Sequence, residues 1–351
     1  LVFDEPTSVL TPQETRALFQ TIRNLKVEGK SVVYISHKLW EILEIADRIT
    51  VLRRGMRQGT VERSEASPAM LTRLMFGEEL QAAGGGRWEE PAGREAALLL
   101  QDVSALDDRG VPALNGVTLE LRTGEILGVA GVEGNGQREL AEAIAGTRPV
   151  ACGRIVLAGR DVTRWTPRQR RQAGLAYIPE DRDADGVGLE LSVADNLIAT
   201  RYHRRPLSAW GVLRGGAIAR FCRARVERFG VRASGLAAKA RTLSGGNLQR
   251  LVVAREAGES PRVLVAAHPT RGVDMSAIRS IHRALLELRD GGTGILLISG
   301  DLDEVLALSD RIATIYRGRI TGVVGRHEAD RERIGALMLG VEGRGVEGRS
   351  S

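Results

Sequence analysis

The feature that most constrains this 351-residue chain is an internal repeat. Residues 1–79 align without a gap onto residues 264–342, so that every matched position lies at a constant offset of 263. The identical segments include Pro6-Thr7 with Pro269-Thr270, Asp47-Arg48-Ile49 with Asp310-Arg311-Ile312, and Leu74-Met75 with Leu337-Met338. A match at fixed offset predicts two copies of one domain, of which the first lacks its front.

The repeat predicts four parts along the chain. Residues 1–80 form the end of a first domain, residues 81–95 a linker, residues 96–342 a second domain, and residues 343–351 a tail. Residues 82–94 are rich in Ala, Gly and charged side chains without apolar periodicity, which is typical of linkers. Since the second copy begins near Ala96, about 170 residues of the first copy are expected upstream of Leu1.

Composition excludes several classes of protein. Hydrophobic residues make up 43% of the chain, yet the longest apolar runs, such as 295–298, fall far short of a membrane span. Cys152 and Cys222 are far apart and lack metal-ligand spacing, as expected in a reducing cytoplasm. The net charge is +6, but the basic residues are interleaved with acids, which indicates solvated surface rather than a nucleic-acid site.

A strand, a glycine loop and a helix follow one another in the second copy. Residues 125–131 have the pattern of a short buried strand, and residues 137–145 carry apolar side chains at helical spacing. Further apolar strands are predicted at 263–267, 294–299 and 312–316. This alternation predicts an α/β sheet with its site at the strand ends, interrupted by a more helical segment at 192–231.

Residues 243–250 (L-S-G-G-N-L-Q-R) carry the strongest single motif and resemble the signature sequence of ATP-binding cassette proteins. Ser244, Gly245 and Gly246 leave backbone N–H groups open at a helix start, which suits a γ-phosphate. A Ser-Gly-Gly tripeptide alone is usually a turn. Here it precedes a strand that leads into Pro-Thr-Arg-Gly-Val-Asp, as the family requires, and this favours the phosphate site.

Residues 1–8 (L-V-F-D-E-P-T-S) resemble the Walker B strand of the same family, with its catalytic glutamate. Asp4 at the strand tip is a candidate Mg²⁺ ligand, and Glu5 is a candidate base for the attacking water. His37 follows the next apolar strand, where the family places its switch histidine. The alternative is that the Asp-Glu pair only begins a helix.

Residues 131–136 (G-V-E-G-N-G) have the glycine spacing of a P-loop between the predicted strand and helix. The candidate phosphate-binding residues are Gly131, Gly134, Asn135, Gly136, Gln137 and Arg138. The loop departs from the motif because Gln137 replaces the lysine and Arg138 replaces the Ser or Thr that holds Mg²⁺. A charged hydrogen bond contributes about 1.5–3 kcal/mol, so we expect weaker nucleotide binding, which Arg138 offsets in part.

Other catalytic positions of the second copy also lack the residue types that hydrolysis requires. Through the offset of 263, Asp4 falls on Ala267, Glu5 on His268 and His37 on Gly300. The position of the family's phosphate-sensing Gln is Glu180. We therefore expect a second cassette that has lost hydrolysis, with His268 as a structural replacement.

Together these motifs resemble the double-cassette ATPases that energise importers of ribose, xylose, galactose and nucleosides, with the nucleoside branch favoured. The resemblance implies an ABC-type P-loop α/β fold, with one partial and one complete copy and a helical signature subdomain. It also implies an internal pseudo-dimer of cassettes, with ATP and Mg²⁺ as cofactors. The active site would combine Asp4, Glu5 and His37 with Ser244, Gly245 and Gly246 of the other copy.

The resemblance further implies permease subunits and, indirectly, a solute-binding protein as partners, and a peripheral place on the cytoplasmic face of the membrane. Two alternatives from other classes remain. One is an inert truncated or regulatory fragment, since this chain has no P-loop lysine. The other is a soluble nucleic-acid-associated cassette ATPase, but the long charged helical linkers or zinc cysteines of that class are missing from the sequence.

Overall fold

The computed structural model describes residues 1–4, 6–7, 10, 12–36, 39–53, 56–67, 70–71, 74, 95–338 and 340. The chain divides into two compact units, unit 1 at residues 1–87 and unit 2 at residues 88–351. The predicted linker, apart from residue 95, and the predicted tail at 343–351 lie outside the described residues.

Unit 1 contains two short sheets and two helices in its described part. Strands β1 (Val2–Asp4) and β2 (Val33–Ile35) pair in parallel, and β3 (Arg48–Arg53) and β4 (Met56–Glu62) form an antiparallel hairpin. The helices are α1 (Pro12–Val27) and α2 (Leu39–Ile45). Phe19 and Ile22 lie three residues apart on α1, hence on one face, and both are buried against Ile45.

The elements of unit 2 alternate between strands and helices. Its strands are β5 (Ala96–Leu106), β6 (Pro112–Arg122), β7 (Ile126–Ala130), β8 (Cys152–Leu157), β9 (Arg160–Asp161), β10 (Leu175–Ile178), β11 (Ser208–Ala209), β12 (Val212–Leu213), β13 (Val263–Ala267), β14 (Gly294–Ser299), β15 (Arg311–Tyr316) and β16 (Arg319–Gly325). Its α-helices are α3 (Gln137–Ala145), α4 (Pro167–Gln172), α5 (Val193–Ile198), α6 (Gly215–Arg228), α7 (Gly245–Glu256), α8 (Met275–Asp290), α9 (Leu302–Leu308) and α10 (Arg331–Met338).

The central sheet of unit 2 has the strand order β10-β13-β14-β7-β15-β16, in which only β16 runs antiparallel to its neighbour. Every residue of β7, β13 and β14 is buried, as expected for parallel strands covered on both faces. The carboxyl ends of these strands meet at one edge of the sheet. The loops that follow β7 and β13 are therefore neighbours, and the candidate site lies there.

A second sheet of order β6-β5-β8-β9 is antiparallel, with buried and exposed side chains alternating along β6. The helices α5, α6 and α7 pack with residues of the central sheet in one large apolar core. The predicted strands at 263–267 and 294–299 are confirmed. The segment predicted as helical also contains the small β11–β12 hairpin, which sequence patterning missed because its strands have two residues each.

Arg170 fixes the carboxyl end of α3, the helix that follows the glycine loop. Its guanidinium is 1% exposed and donates hydrogen bonds to the carbonyls of Ala143 and Ile144, in the last turn of α3. It also donates to the carbonyls of Thr163 at 2.9 Å and Trp165 at 3.1 Å. The carbonyls of a last helical turn have no partner within the helix, so a buried cation there satisfies them and suits the helix dipole.

The two units share strand register at the offset of 263. Asp4 pairs with Ile35 at the end of β1, and Ala267 pairs with Ile298 at the end of β13. The hairpins β3–β4 and β15–β16 both shift register at the equivalent step. Only unit 2 contains a complete α/β body among the described residues, so the predicted partial copy in unit 1 stays a prediction.

A buried hydrogen-bond cluster also recurs at this offset. Thr7 Oγ1 donates to Glu41 Oε1 at 2.5 Å, and Thr270 Oγ1 donates to Glu304 Oε1 at 2.7 Å. Glu41 accepts a further hydrogen bond from Ser36 Oγ at 2.9 Å, and Glu304 accepts one from His282 Nε2 at 2.9 Å. In both units the Thr–Glu pair connects the loop after one strand to the helix that follows the next strand.

Candidate functional site

The loop between β7 and α3 has the backbone of an anion cradle. Gly134 and Gly136 adopt φ values of +86° and +103°, a region that side-chain-bearing residues rarely occupy. Gly136 immediately precedes α3, and a Cβ on it would lie 2.7 Å from the carbonyl oxygen of Ala113. Glycine is therefore required here, and the loop directs backbone N–H groups toward the site at the amino end of α3.

Gln137, which replaces the lysine, closes the loop with its own amide. Its side chain is buried at 4% exposure. The N–H of Asn135 donates to Gln137 Oε1 at 3.0 Å, and Gln137 Nε2 donates to the carbonyl of Val132 at 2.8 Å. One backbone donor of the cradle is thus already used within the chain, which sequence reasoning did not foresee.

Arg138 and Asn135 are engaged elsewhere. Arg138 Nε donates to Glu142 Oε1 at 2.8 Å, and this hydrogen bond raises the pKa of the guanidinium above its usual range. Asn135 Oδ1 accepts from the N–H of Arg317 at 2.8 Å, which ties the loop to the turn after β15. Arg138 is therefore held along α3, and the compensation expected of it for the missing lysine is not supported by this geometry.

A pocket of ≈ 720 Å³ opens beside the loop. Carboxylates outnumber guanidinium groups in its lining. The carboxylates are Glu133, Glu139, Glu142, Glu180, Asp181, Asp183 and Asp185, and the guanidinium groups are those of Arg138, Arg182 and Arg271. The phosphates of a nucleotide would meet repulsion here, so the lining fits a polyphosphate poorly even though the backbone cradle remains.

Arg271 spans the mouth of this pocket. Its Nη1 pairs with Glu180 Oε1 at 2.5 Å and its Nη2 with Glu133 Oε1 at 3.2 Å. Arg182 Nη1 in turn donates to the carbonyl of Arg271 at 3.1 Å. Glu180, at the position of the phosphate-sensing Gln, is thus held in an ion pair. This bridge between the loops after β7, β10 and β13 was missed, because nothing in the sequence pairs residues so far apart.

His268 follows β13 in a left-handed conformation, with φ +45°. Its N–H donates to the carbonyl of Ile298 at 2.7 Å, and its Nδ1 accepts from the N–H of Gly300 at 3.4 Å. Burial lowers the pKa of His268 below its usual range, although the nearby Glu180 carboxylate opposes this. A neutral imidazole that links the ends of β13 and β14 fits a structural role.

The signature residues begin α7. Ser244 precedes the helix, and its Oγ accepts from Asn247 Nδ2 at 2.9 Å. A Cβ on Gly245 would meet the tip of Arg182 at 2.8 Å, and one on Gly246 would meet Asp274 Oδ2 at 2.6 Å. These three residues do not line the pocket described above, although Gln249 one turn further on does. The structure thus does not bring the signature to the loop of its own unit.

The predicted catalytic residues lie in unit 1. Asp4 is exposed at the carboxyl end of β1. Glu5 and His37 lie outside the described residues, so their roles stay predictions. Within the described part of the chain, no group of three or more His, Cys, Asp or Glu side chains is placed to hold a metal ion. In unit 2 the loop does not fit Mg²⁺, because Arg138 stands where the metal-binding hydroxyl would be.

Glu41 and Glu304 were missed from the sequence, although the repeat could have revealed both. Thr7, Glu41 and their counterparts at the offset of 263 are identical in type, so the repeat alone contained the signal. Both glutamates are buried, and each holds the loop after a strand through its threonine.

Comparison with known proteins places these motifs among ABC transporters. The sequence model of the ABC transporter family matches residues 114–271. The nucleoside import ATP-binding protein of Lactococcus lactis is 42% identical over 97% of this chain and 67% of its own length. The glucose import ATP-binding protein of Haloferax volcanii is 45% identical over 97% of this chain and 62% of its own length. The chain thus spans about two thirds of these relatives.

Solved structures agree on the fold. A nucleotide-free ATP-binding cassette from an ABC transporter superposes with a TM-score of 0.56, at 22% identity, over 66% of this chain and 92% of its own. A cassette in its ADP conformation gives the same TM-score over 70% of this chain. The predicted α/β cassette fold is therefore confirmed for the greater part of the chain, as one cassette. No helix among the described residues has the length and apolarity to cross a bilayer.

Proposed function

The chain belongs to the ATP-binding cassette family of ABC transporters, and on that premise we propose that it is the larger part of the ATP-binding subunit of an importer. The solute is a nucleoside or a simple sugar, which is what the named relatives import. Residues 1–80 are the end of a first cassette and residues 96–342 a second one that no longer hydrolyses ATP. The partners are permease subunits and, through them, a solute-binding protein at the cytoplasmic face of the membrane.

The main support for this proposal is that two equivalent strands end in different residues, one with a carboxylate and one with a methyl group. Asp4 ends β1 and Ala267 ends β13, at matched positions in the same parallel register. A carboxylate can bind Mg²⁺ there, whereas a methyl group cannot. The Thr–Glu hydrogen bonds that recur at the offset of 263 support the view that both strand ends belong to copies of one cassette.

The second cassette contributes its signature residues to the hydrolytic site, and the catalytic side chains come from the first cassette. In this proposal hydrolysis uses Asp4 as metal ligand, Glu5 as base and His37 to hold the water, with Ser244, Gly245 and Gly246 binding the γ-phosphate. The loop at residues 131–138 binds phosphate only through backbone N–H groups, because Gln137 and Arg138 supply neither the lysine charge nor a metal ligand.

Two substitutions in the full-length protein test the inequality of the two strand ends. Glu5→Gln removes the base but leaves Asp4, so ATP hydrolysis should fall by at least a hundredfold, about 2.7 kcal/mol in barrier, while ATP binding persists. His268→Asn, at the matched position of unit 2, should keep turnover within about twofold, since Asn tolerates a left-handed backbone. Equal losses from both variants would refute the assignment.

A third substitution tests the contribution of the signature. Gly245→Asp puts a carboxylate into the phosphate site, and its Cβ displaces only the flexible tip of Arg182. Hydrolysis by the full-length protein should be abolished while its ATP affinity changes little. Gly235→Asp is the matched control, because a Cβ there meets no atom within 4 Å and its φ is not left-handed. Unchanged turnover in Gly245→Asp would show that unit 2 does not complete the active site.

A further inference from the structure

The segment between α5 and the end of α6 is rich in arginine and lacks acidic residues. Residues 196–226 contain seven arginines and no Asp, Glu or Lys. Residues 228–255 also lack Asp and Glu and carry six basic residues, so the acid-free part of unit 2 is longer than this segment. The positive charge is therefore concentrated on one stretch of unit 2.

Five of these arginines are exposed, and three of them lie within residues 202–214. Arg204, Arg205, Arg214, Arg220 and Arg223 are exposed, and none of them forms an ion pair with a carboxylate among the described residues. The positive charge of nearby arginines affects the imidazole of His203. The pKa of His203 lies below its usual range, first because of partial desolvation and then because the guanidinium groups of Arg168 and Arg204 repel a further positive charge.

Exposed apolar side chains lie on the same segment. Trp210 is 95% exposed at the turn of the β11–β12 hairpin, and Val212, Leu213 and Tyr202 are each more than half exposed. The hairpin itself is firmly anchored, because Leu207 is 2% exposed and packs in the main core. The exposed indole is thus held outward by an ordered scaffold.

The backbone conformation at Trp210 indicates that its side chain has a binding role. Trp210 and Gly211 have φ values of +54° and +79°, the conformation of a tight hairpin turn that Asn and Gly normally fill. A bulky residue with positive φ is strained, and it contributes no buried contact that would offset the cost. An exposed aromatic in a strained turn beside unpaired arginines points to a ligand with an apolar layer and an anionic surface.

We propose that the surface formed by residues 202–214 binds the face of an anionic phospholipid bilayer. Indole side chains prefer the boundary between headgroups and acyl chains, and arginines near the surface bind the lipid phosphates. An acidic protein would satisfy the arginines, but it would not explain an indole that is 95% exposed beside them. This contact is additional to docking on a permease and does not depend on ATP hydrolysis.

The test is flotation of the purified 351-residue chain with lipid vesicles. The chain should float with vesicles of phosphatidylcholine and phosphatidylglycerol at a ratio of 7:3 and remain unbound with phosphatidylcholine alone. Trp210→Ser and the double variant Arg204→Glu with Arg205→Glu should each weaken the partition coefficient at least tenfold, about 1.4 kcal/mol. Raising salt to 0.5 M should weaken binding of the parent, because surface charges are screened.

Matched controls separate this surface from general charge and apolarity. Arg109→Glu with Arg160→Glu makes the same change of charge on exposed arginines of another sheet, and Val111→Ser removes an exposed aliphatic side chain elsewhere. Both should float like the parent. The indole is located by quenching of its fluorescence with brominated lipids, which Trp210→Phe should reduce.

Three outcomes would overturn the proposal: no flotation with the anionic vesicles, equal flotation with neutral vesicles, or equal losses in the control variants. If the parent fails to float but the hairpin becomes protected from proteolysis in vesicles that contain the co-expressed permease, the surface belongs to a protein partner and the lipid assignment is wrong. Circular dichroism of each variant shows that loss of binding is not loss of folding.

Discussion

Gln137→Lys is the substitution that tests most directly what the loop of unit 2 lacks. The amide of Gln137 occupies the cradle, where it accepts from the N–H of Asn135 and donates to the carbonyl of Val132. Lysine would remove both hydrogen bonds, leave the N–H of Asn135 with only its 3.3 Å hydrogen bond to the carbonyl of Val132, and add a positive charge beside the cradle. We expect the variant to bind ATP more tightly than the parent chain.

The expected gain follows from the interactions exchanged. A hydrogen bond to a charged group contributes about 1.5–3 kcal/mol, which corresponds to roughly a ten- to hundredfold change in affinity. The acidic lining of the pocket opposes the phosphates, so we expect the lower part of this range. Loss of the two loop hydrogen bonds should lower the free energy of unfolding by about 1–3 kcal/mol. Because Arg138 still stands at the metal position, the gain should not require Mg²⁺.

The assay is isothermal titration of ATP into the 351-residue chain, with and without Mg²⁺, for the parent, Gln137→Lys and Gln137→Ala. Gln137→Ala removes the same two hydrogen bonds without adding charge, so it separates the effect of losing the amide from the effect of the cation. Affinity of Gln137→Lys within twofold of Gln137→Ala would show that the lysine charge is not what the loop lacks. A gain that appears only with Mg²⁺ would mean that the metal position is still functional.

Three further results are expected. The 351-residue chain alone should hydrolyse ATP far below the roughly one per second that is the low end of typical enzymes, measured by phosphate release; turnover in that range would contradict the shared-site proposal. Glu256→Gln should cost about 3–5 kcal/mol in urea unfolding, because it leaves the buried Arg255 guanidinium uncompensated; a cost below about 1 kcal/mol would show that the pair is not structural. Burial alone would raise the pKa of Glu304, but hydrogen bonds, led by the one with His282, lower it in the folded protein. The stability that the Glu304 carboxylate contributes is therefore present above its unfolded pKa of about 4.3 and is lost as the pH falls below that value. Glu304→Gln should make the free energy of unfolding less dependent on pH in acid, and parallel pH curves for parent and variant would contradict this.

The sequence predicted the strands of the central sheet well because they are buried on both faces. Runs such as 263–267 and 294–299 are continuously apolar and end at polar or glycine residues, so both pattern and boundary are visible. The glycine loop was equally visible, since Gly134 and Gly136 occupy backbone conformations that few other residues accept.

The sequence could not predict how replaced residues act once they are in place. Gln137 was visible only as the loss of a charge, whereas its amide in fact forms two hydrogen bonds across the loop. The ion pairs of Arg271 depend on three loops meeting at one sheet edge, and no local pattern encodes that meeting. The β11–β12 hairpin is too short for a periodic signal, so its exposed Trp210 became visible only in three dimensions.

The contacts of Arg170 make the position of α3 independent of the loop that precedes this helix. Arg170 holds α3 from the end opposite to the cradle, through hydrogen bonds that involve none of the loop residues. The orientation of the helix therefore does not depend on the side chains at its amino end. Placing a lysine and a metal ligand in this loop would require new side chains but no new backbone architecture.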